Sequence, residues 1–188
     1  MVMLKNDAHR YGAISQSLHW LIACCLAGML AMGFLMDEVS GELKPWLIGV
    51  HKSIGMTLLF LVMVRFVWRL LNVSPSAPET LSPLMQKAAH LAHYVLYGVM
   101  VAMPISGWLM SSAFGRSVDY FGWFTIPDMI AKDRYVGMVM KESHEWIAFA
   151  MIGLVLAHAG AALYHHYVYK DNVLARMLPS CCVKDRTV

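Results

Sequence analysis

Four long apolar stretches restrict what this chain can fold into more than any other feature. They cover about residues 15–36, 46–71, 88–114 and 143–169, and each reaches or exceeds the ~20 residues a helix needs to cross a bilayer. A backbone in hydrocarbon must satisfy its own N–H and C=O groups, so stretches of this kind become helices. With 59% hydrophobic and 14% charged residues among 188, the composition is too apolar for an ordinary soluble domain. The expected fold is all-α, an integral membrane four-helix bundle forming one domain over residues 1–180, with 181–188 as a C-terminal tail. The first stretch lacks a convincing small-residue cleavage site and reads as a retained helix rather than a signal peptide.

Charge sets the expected topology. Lys5, Arg10, Arg65, Arg69, Lys87, Lys170, Arg176, Lys184 and Arg186 lie in the N-terminal arm, the second connection with its flanking helix ends, and the C-terminal tail. The positive-inside rule then places both termini in the cytoplasm. The third connection, 115–142, works against this, because it holds Arg116, Lys132, Arg134 and Lys141 beside four acidic residues. A net charge of +3 gives no reason to expect nucleic acid as a partner; membrane lipid is the expected one. The second connection, NVSPSAPETLSP, cannot continue a helix. In the third, Tyr120, Phe121, Trp123 and Phe124 suit a headgroup-level position, with a short helix starting at Pro127-Asp128. Pro104 and Gly107 in AMPISGWLM predict a loosened third helix, either for simple packing or to make room for a flat cofactor.

Histidines lie within this apolar framework: His19 in SLHWLIA, His51 in VHKSIGM, and both His144 and His158 in SHEWIAFAMIGLVLAH. An ionisable residue at membrane depth is costly and marks a functional site by default, although a single one often only hydrogen-bonds a neighbouring helix. His144 and His158 are fourteen residues apart, which places them on one helical face roughly 21 Å apart along the axis. Alternating helix direction puts His51 and His144 near the outer face and His19 and His158 nearer the inner face. Bundles build cofactor sites from facing helices in this way.

Two imidazoles per site, without an accompanying cluster of Cys, Asp or Glu, suit a haem iron with both axial positions filled better than a zinc cage. The chain has no C-x-x-C-H motif, so haem would be held without thioether bonds. Cys24–Cys25 and Cys181–Cys182 form no disulfide framework. The expectation is two haem b groups between the helices, with His19, His51, His144 and His158 as iron ligands. His90, His93 and His165 compete for the inner site. Arg65, Arg69 and Lys52 are placed either to meet haem propionates or to snorkel to headgroups.

The chain resembles the bacterial cytochrome b561 family of di-haem membrane cytochromes from about Tyr11 to Ser180. The resemblance is carried by SLHW, VHKSIG, the Arg65/Arg69 helix end, AHLAHYVLYGVMVAMPISGW, SHEW and LAHAGAALYHHYVYKDNVLARML. It implies the same four histidine ligands and an activity that takes an electron from superoxide, a small outer-side donor, and reduces ubiquinone near the inner haem. It also implies quinone binding at His165, for which an imidazole can both hydrogen-bond a carbonyl oxygen and pass protons. Helix-end capping is the alternative for His165. Ser17 is the expected second quinone donor. Lys52, Arg116, Lys132, Arg134 and Lys141 form an expected outer cluster able to steer anions. The competing readings are an anchor cytochrome that relays electrons for a redox partner protein, and a histidine-bearing transporter.

Overall fold

A computed structural model describes residues 3–76 and 81–179. Cys181, Cys182, Lys184 and Arg186 of the expected tail lie outside the described residues. The model contains four long helices, α1 (Ala13–Glu38), α2 (Leu43–Leu71), α3 (Pro83–Ala113) and α4 (Arg134–Tyr164), all long and apolar enough to cross a membrane. Phe60, Leu91, Trp146 and Leu156 are each more than 60% exposed. In water such a surface would be a liability; on a membrane bundle it faces acyl chains.

Local chemistry explains the helix boundaries. The α1–α2 turn passes through Gly41 at φ +65°, a conformation glycine adopts without penalty. Ser82 caps α3 by accepting from Met85 N at 3.3 Å, and Pro83 occupies the first position, where its missing N–H costs nothing. α3 then runs through Pro104 without ending. α4 starts more than two turns before the fourth apolar stretch, because the Asp133 carboxylate accepts from Tyr135 N at 2.9 Å and Val136 N at 3.1 Å. Such a cap is worth about 1 kcal/mol. Arg134 and Lys141 therefore belong to a helix and not to a connection.

The expected helix at Pro127-Asp128 does not form. Residues 118–126 instead make a hairpin of β1 (Val118–Tyr120) and β2 (Phe124–Ile126), with Val118 opposite Ile126. Phe121 and Gly122 turn it with φ of 51° and 76°, the left-handed pair that matches strand twist. Asp128, which could have capped a helix, accepts from Ser117 Oγ at 2.9 Å. The hairpin is fastened to α2 by Ser53, whose Oγ bonds Asp119 O and Phe121 N at 3.1 Å each, and by Thr57 Oγ1 against Tyr120 Oη at 2.9 Å.

The opposite end of the bundle holds the N-terminal arm from Met3 and the segment that follows α4 up to Pro179. α4 passes into a π-helical turn, His165–Tyr169, and reverses at Lys170 with φ 55°. The following segment lies against the N-terminal arm and α1. Trp20 Nε1 donates to Met177 O at 2.9 Å, Gln16 Nε2 to Arg176 O at 3.2 Å and Arg10 Nη2 to Leu178 O at 3.1 Å.

The helices pack as α1 on α2, α2 on α3 and α3 on α4, whereas α4 approaches α1 and α2 far less closely. The tight core is Ile22, Leu58, Val62 and Tyr97, all under 9% exposed. Lipid removes the hydrophobic drive between membrane helices, so van der Waals fit and polar contacts hold them together. The looser seam between α4 and the α1–α2 pair is where the histidines meet.

Candidate functional site

His51 on α2 and His144 on α4 face each other at the hairpin end of the bundle. Their ring centroids are 6.4 Å apart, with planes crossed at 70°. Both rings line a cavity of about 600 Å³ whose walls include Met29, Met103, Pro104 and Met151. His51 Nδ1 is buried and has no hydrogen-bond partner among the described residues. His144 Nδ1 lies 3.0 Å from Ser106 Oγ. The same ring rests on Gly107, where an added Cβ would come within 3.0 Å of Cε1.

His19 on α1 and His158 on α4 form a second pair toward the end opposite the hairpin, with centroids 6.2 Å apart and planes at 62°. His93 of α3 joins them, 5.5 Å from His158. Its Nδ1 is 2.7 Å from Ala89 O, and since a carbonyl only accepts, Nδ1 carries the proton there. Arg65 crosses the bundle nearby, donating from Nη1 to Ser15 O at 3.3 Å and from Nε to Tyr97 Oη at 3.2 Å. The Arg69 guanidinium stands 6.0 Å over the Tyr97 ring, within cation–π range.

Residues 10–180 match the family model for prokaryotic cytochrome b561. The chain belongs to the prokaryotic cytochrome b561 family. It is 36% identical to cytochrome b561 homolog 2 of Escherichia coli K12, over 92% of this chain and 93% of that protein. It is 30% identical to the probable superoxide oxidase CybB of Yersinia pestis, over 90% and 96%. To cytochrome b562 of Cereibacter sphaeroides it is 26% identical, over 89% and 94%. This cytochrome b561-family chain is thus a membrane electron-transfer protein of the b-haem class.

The residues present fit that group. An iron held between two imidazoles sets their centroids roughly 6 Å apart, since metal–imidazole bonds run about 2 Å and a ring nitrogen sits about 1 Å from its centroid; both pairs match this separation. A cavity in the ~300–1,000 Å³ range of cofactor sites and a glycine that leaves the His144 ring its space agree with it. Gly107→Val should therefore push the His144 ring aside and deplete haem at the hairpin end alone, read as partial haem loss on purification with the remaining spectrum intact.

The other candidates divide. Lys52 lines the same cavity as the pair, and its Nζ donates to Ser111 Oγ at 3.1 Å and to Arg116 O and Ser117 O at 3.0 Å each, tying α2 to the end of α3. Lys141 pairs with Glu145 at 3.2 Å, which reduces what the expected basic cluster can contribute, while Arg116, Lys132 and Arg134 are exposed. Ser17 lies on the outer surface of α1. It is exposed on a shallow groove with Leu4, Ile14 and Leu21, because residues two apart on a helix point to opposite sides; Ser15 is the buried serine of that turn. His90 is exposed. His165 is mostly buried, with Nδ1 2.6 Å from Asp171 Oδ2. Sequence reasoning missed Asp171, which reaches His165 only because the chain reverses at Lys170, and it missed Ser106.

Proposed function

We propose that this cytochrome b561-family protein carries two b-type haems, one held by His51 and His144 and the other by His19 and His158, and passes electrons from superoxide to ubiquinone. The observation that supports it best is the pair of opposed imidazoles repeated at both ends of the same helix seam, at 6.4 Å and 6.2 Å. Bound haem supplies a reversible one-electron couple at each site. Held by two imidazoles, the group would transfer electrons rather than bind oxygen.

The protein's own part is positioning and proton supply. Two superoxide ions give up one electron each on the outer side and leave as dioxygen. One ubiquinone takes those two electrons with two protons on the inner side and leaves as ubiquinol. The cavity around the outer pair combines apolar walls with the cations Lys44, Lys52, Arg116 and Lys141. Arg65 and Arg69 lie beside the inner pair, where cations meet carboxylates of a bound group. His165, with Nδ1 engaged by Asp171, presents Nε2 to a quinone carbonyl. In this reading the hairpin end is the periplasmic side and both termini are cytoplasmic.

The test is purification without a partner. A pyridine haemochrome assay is expected to return about two haems per chain, acidified acetone to extract all of it, and superoxide to reduce it in the presence of ubiquinone. One haem per chain would remove the paired-site model. Two haems without reduction by superoxide would favour an anchor subunit serving a separate dehydrogenase.

A further inference from the structure

His144 Nδ1 is engaged by the Ser106 hydroxyl, with the Met103 carbonyl beside it as a second acceptor for the ring. Ser106 stands on α3, 6% exposed, one residue before the glycine on which the imidazole rests. Its Oγ lies 2.8 Å from Met103 O and 3.0 Å from His144 Nδ1. A serine hydroxyl has one proton to give. The Met103 carbonyl can only accept, so that proton is committed to the helix backbone. At the imidazole Ser106 must therefore accept, and Nδ1 must be the donor. The opposite tautomer would set two lone pairs against each other at 3.0 Å, or would force the hydroxyl off Met103 O.

Gly107 enforces this geometry, since its missing side chain lets the ring lie against α3 within reach of the neighbouring hydroxyl. Its partner ring differs: His51 Nδ1 has no such acceptor among the described residues. The two imidazoles of this pair are thus unequal. We infer that Ser106 is the positioning residue of the hairpin-end site, holding His144 as its Nδ1–H tautomer so that Nε2 carries the electron pair offered to the metal. The inference rests on the reading of His51 and His144 as axial ligands.

A ligating histidine whose distal N–H is hydrogen-bonded is a stronger donor and is locked in orientation. Stronger donation stabilises the oxidised metal, so loss of this hydrogen bond should raise the midpoint potential of this one haem. The experiment uses the purified, haem-loaded full chain as wild type, Ser106→Ala, Ser106→Thr and His144→Leu. The haem component lost in His144→Leu identifies the site. In Ser106→Ala that component should shift to higher potential, change its ferric low-spin EPR signal and bind haem ~10-fold more weakly, while the other component keeps its midpoint. Ser106→Thr, which keeps a hydroxyl able to bond back to the preceding turn, should restore the wild-type midpoint and EPR signal. Unchanged midpoint and EPR signal in Ser106→Ala would overturn the inference while leaving the ligand reading in place. Equal shifts in the alanine and threonine variants would overturn it too, since packing and not the hydroxyl would then be responsible. If His144→Leu removes no haem, the ligand reading itself fails.

Discussion

Leucine at His51 or His144 is expected to remove the same haem, and leucine at His19 or His158 the other one. Each variant should fall from about two haems per chain towards one, because removing one of two imidazoles weakens the hold on that iron. The two depleted spectra should be complementary, and their sum should reproduce the wild type. Pairing by sequence neighbourhood would instead group His144 with His158, which share α4; the ring separations across the seam exclude that grouping. His93 supplies the control. It lies closer to His158 than His19 does, at 5.5 Å against 6.2 Å, but an iron between opposed rings wants the longer spacing. His93→Leu should keep both haems. If it loses one while His19→Leu loses none, His93 is the ligand and α3 rather than α1 completes the inner site.

Alanine at His165 should leave both haem spectra intact and slow ubiquinone reduction by about 100-fold, the lower range for loss of a positioned proton donor. Superoxide-driven haem reduction measured without quinone should be unchanged. Asp171→Ala should give a smaller fall in the same step, since it frees the His165 ring without removing it. The Asp171 contact at 2.6 Å, with both side chains no more than 13% exposed, orients the ring so that one nitrogen stays available. Loss of a haem in His165→Ala would make that residue a ligand. An unchanged quinone rate would leave His165 as a helix-end residue whose bond to Asp171 only shapes the turn before Lys170.

What could be read in the sequence is what depends on distance along a helix. Four spans, their alternating direction and the fourteen residues between His144 and His158 follow from hydropathy and from a rise of about 1.5 Å per residue. The depth of each histidine follows in turn, and depth alone proposed the two pairs that the structure brings together. The π-helical end of α4, at Tyr169, also lies where the apolar pattern stops.

Tertiary structure decided what depends on rotation about the helix axis and on contact between distant segments. Ser17 was placed by depth, but it turns outward while Ser15, two residues away, turns in to receive Trp68 Nε1 at 3.0 Å. The hairpin at 118–126 forms because Phe121 and Gly122 turn it and Ser53, on a helix far away in sequence, holds it, and the short helix expected from Pro127-Asp128 does not form. Lys52 lines the cavity of the His51–His144 pair, and only the packed structure shows its Nζ held by three acceptors around the end of α3. The Ser106 hydroxyl and the space above Gly107 acquire meaning only once α4 brings His144 against them. Spacing along one helix is a local property written in consecutive residues, whereas which side chain meets which across a seam is settled by how four helices rotate and pack together.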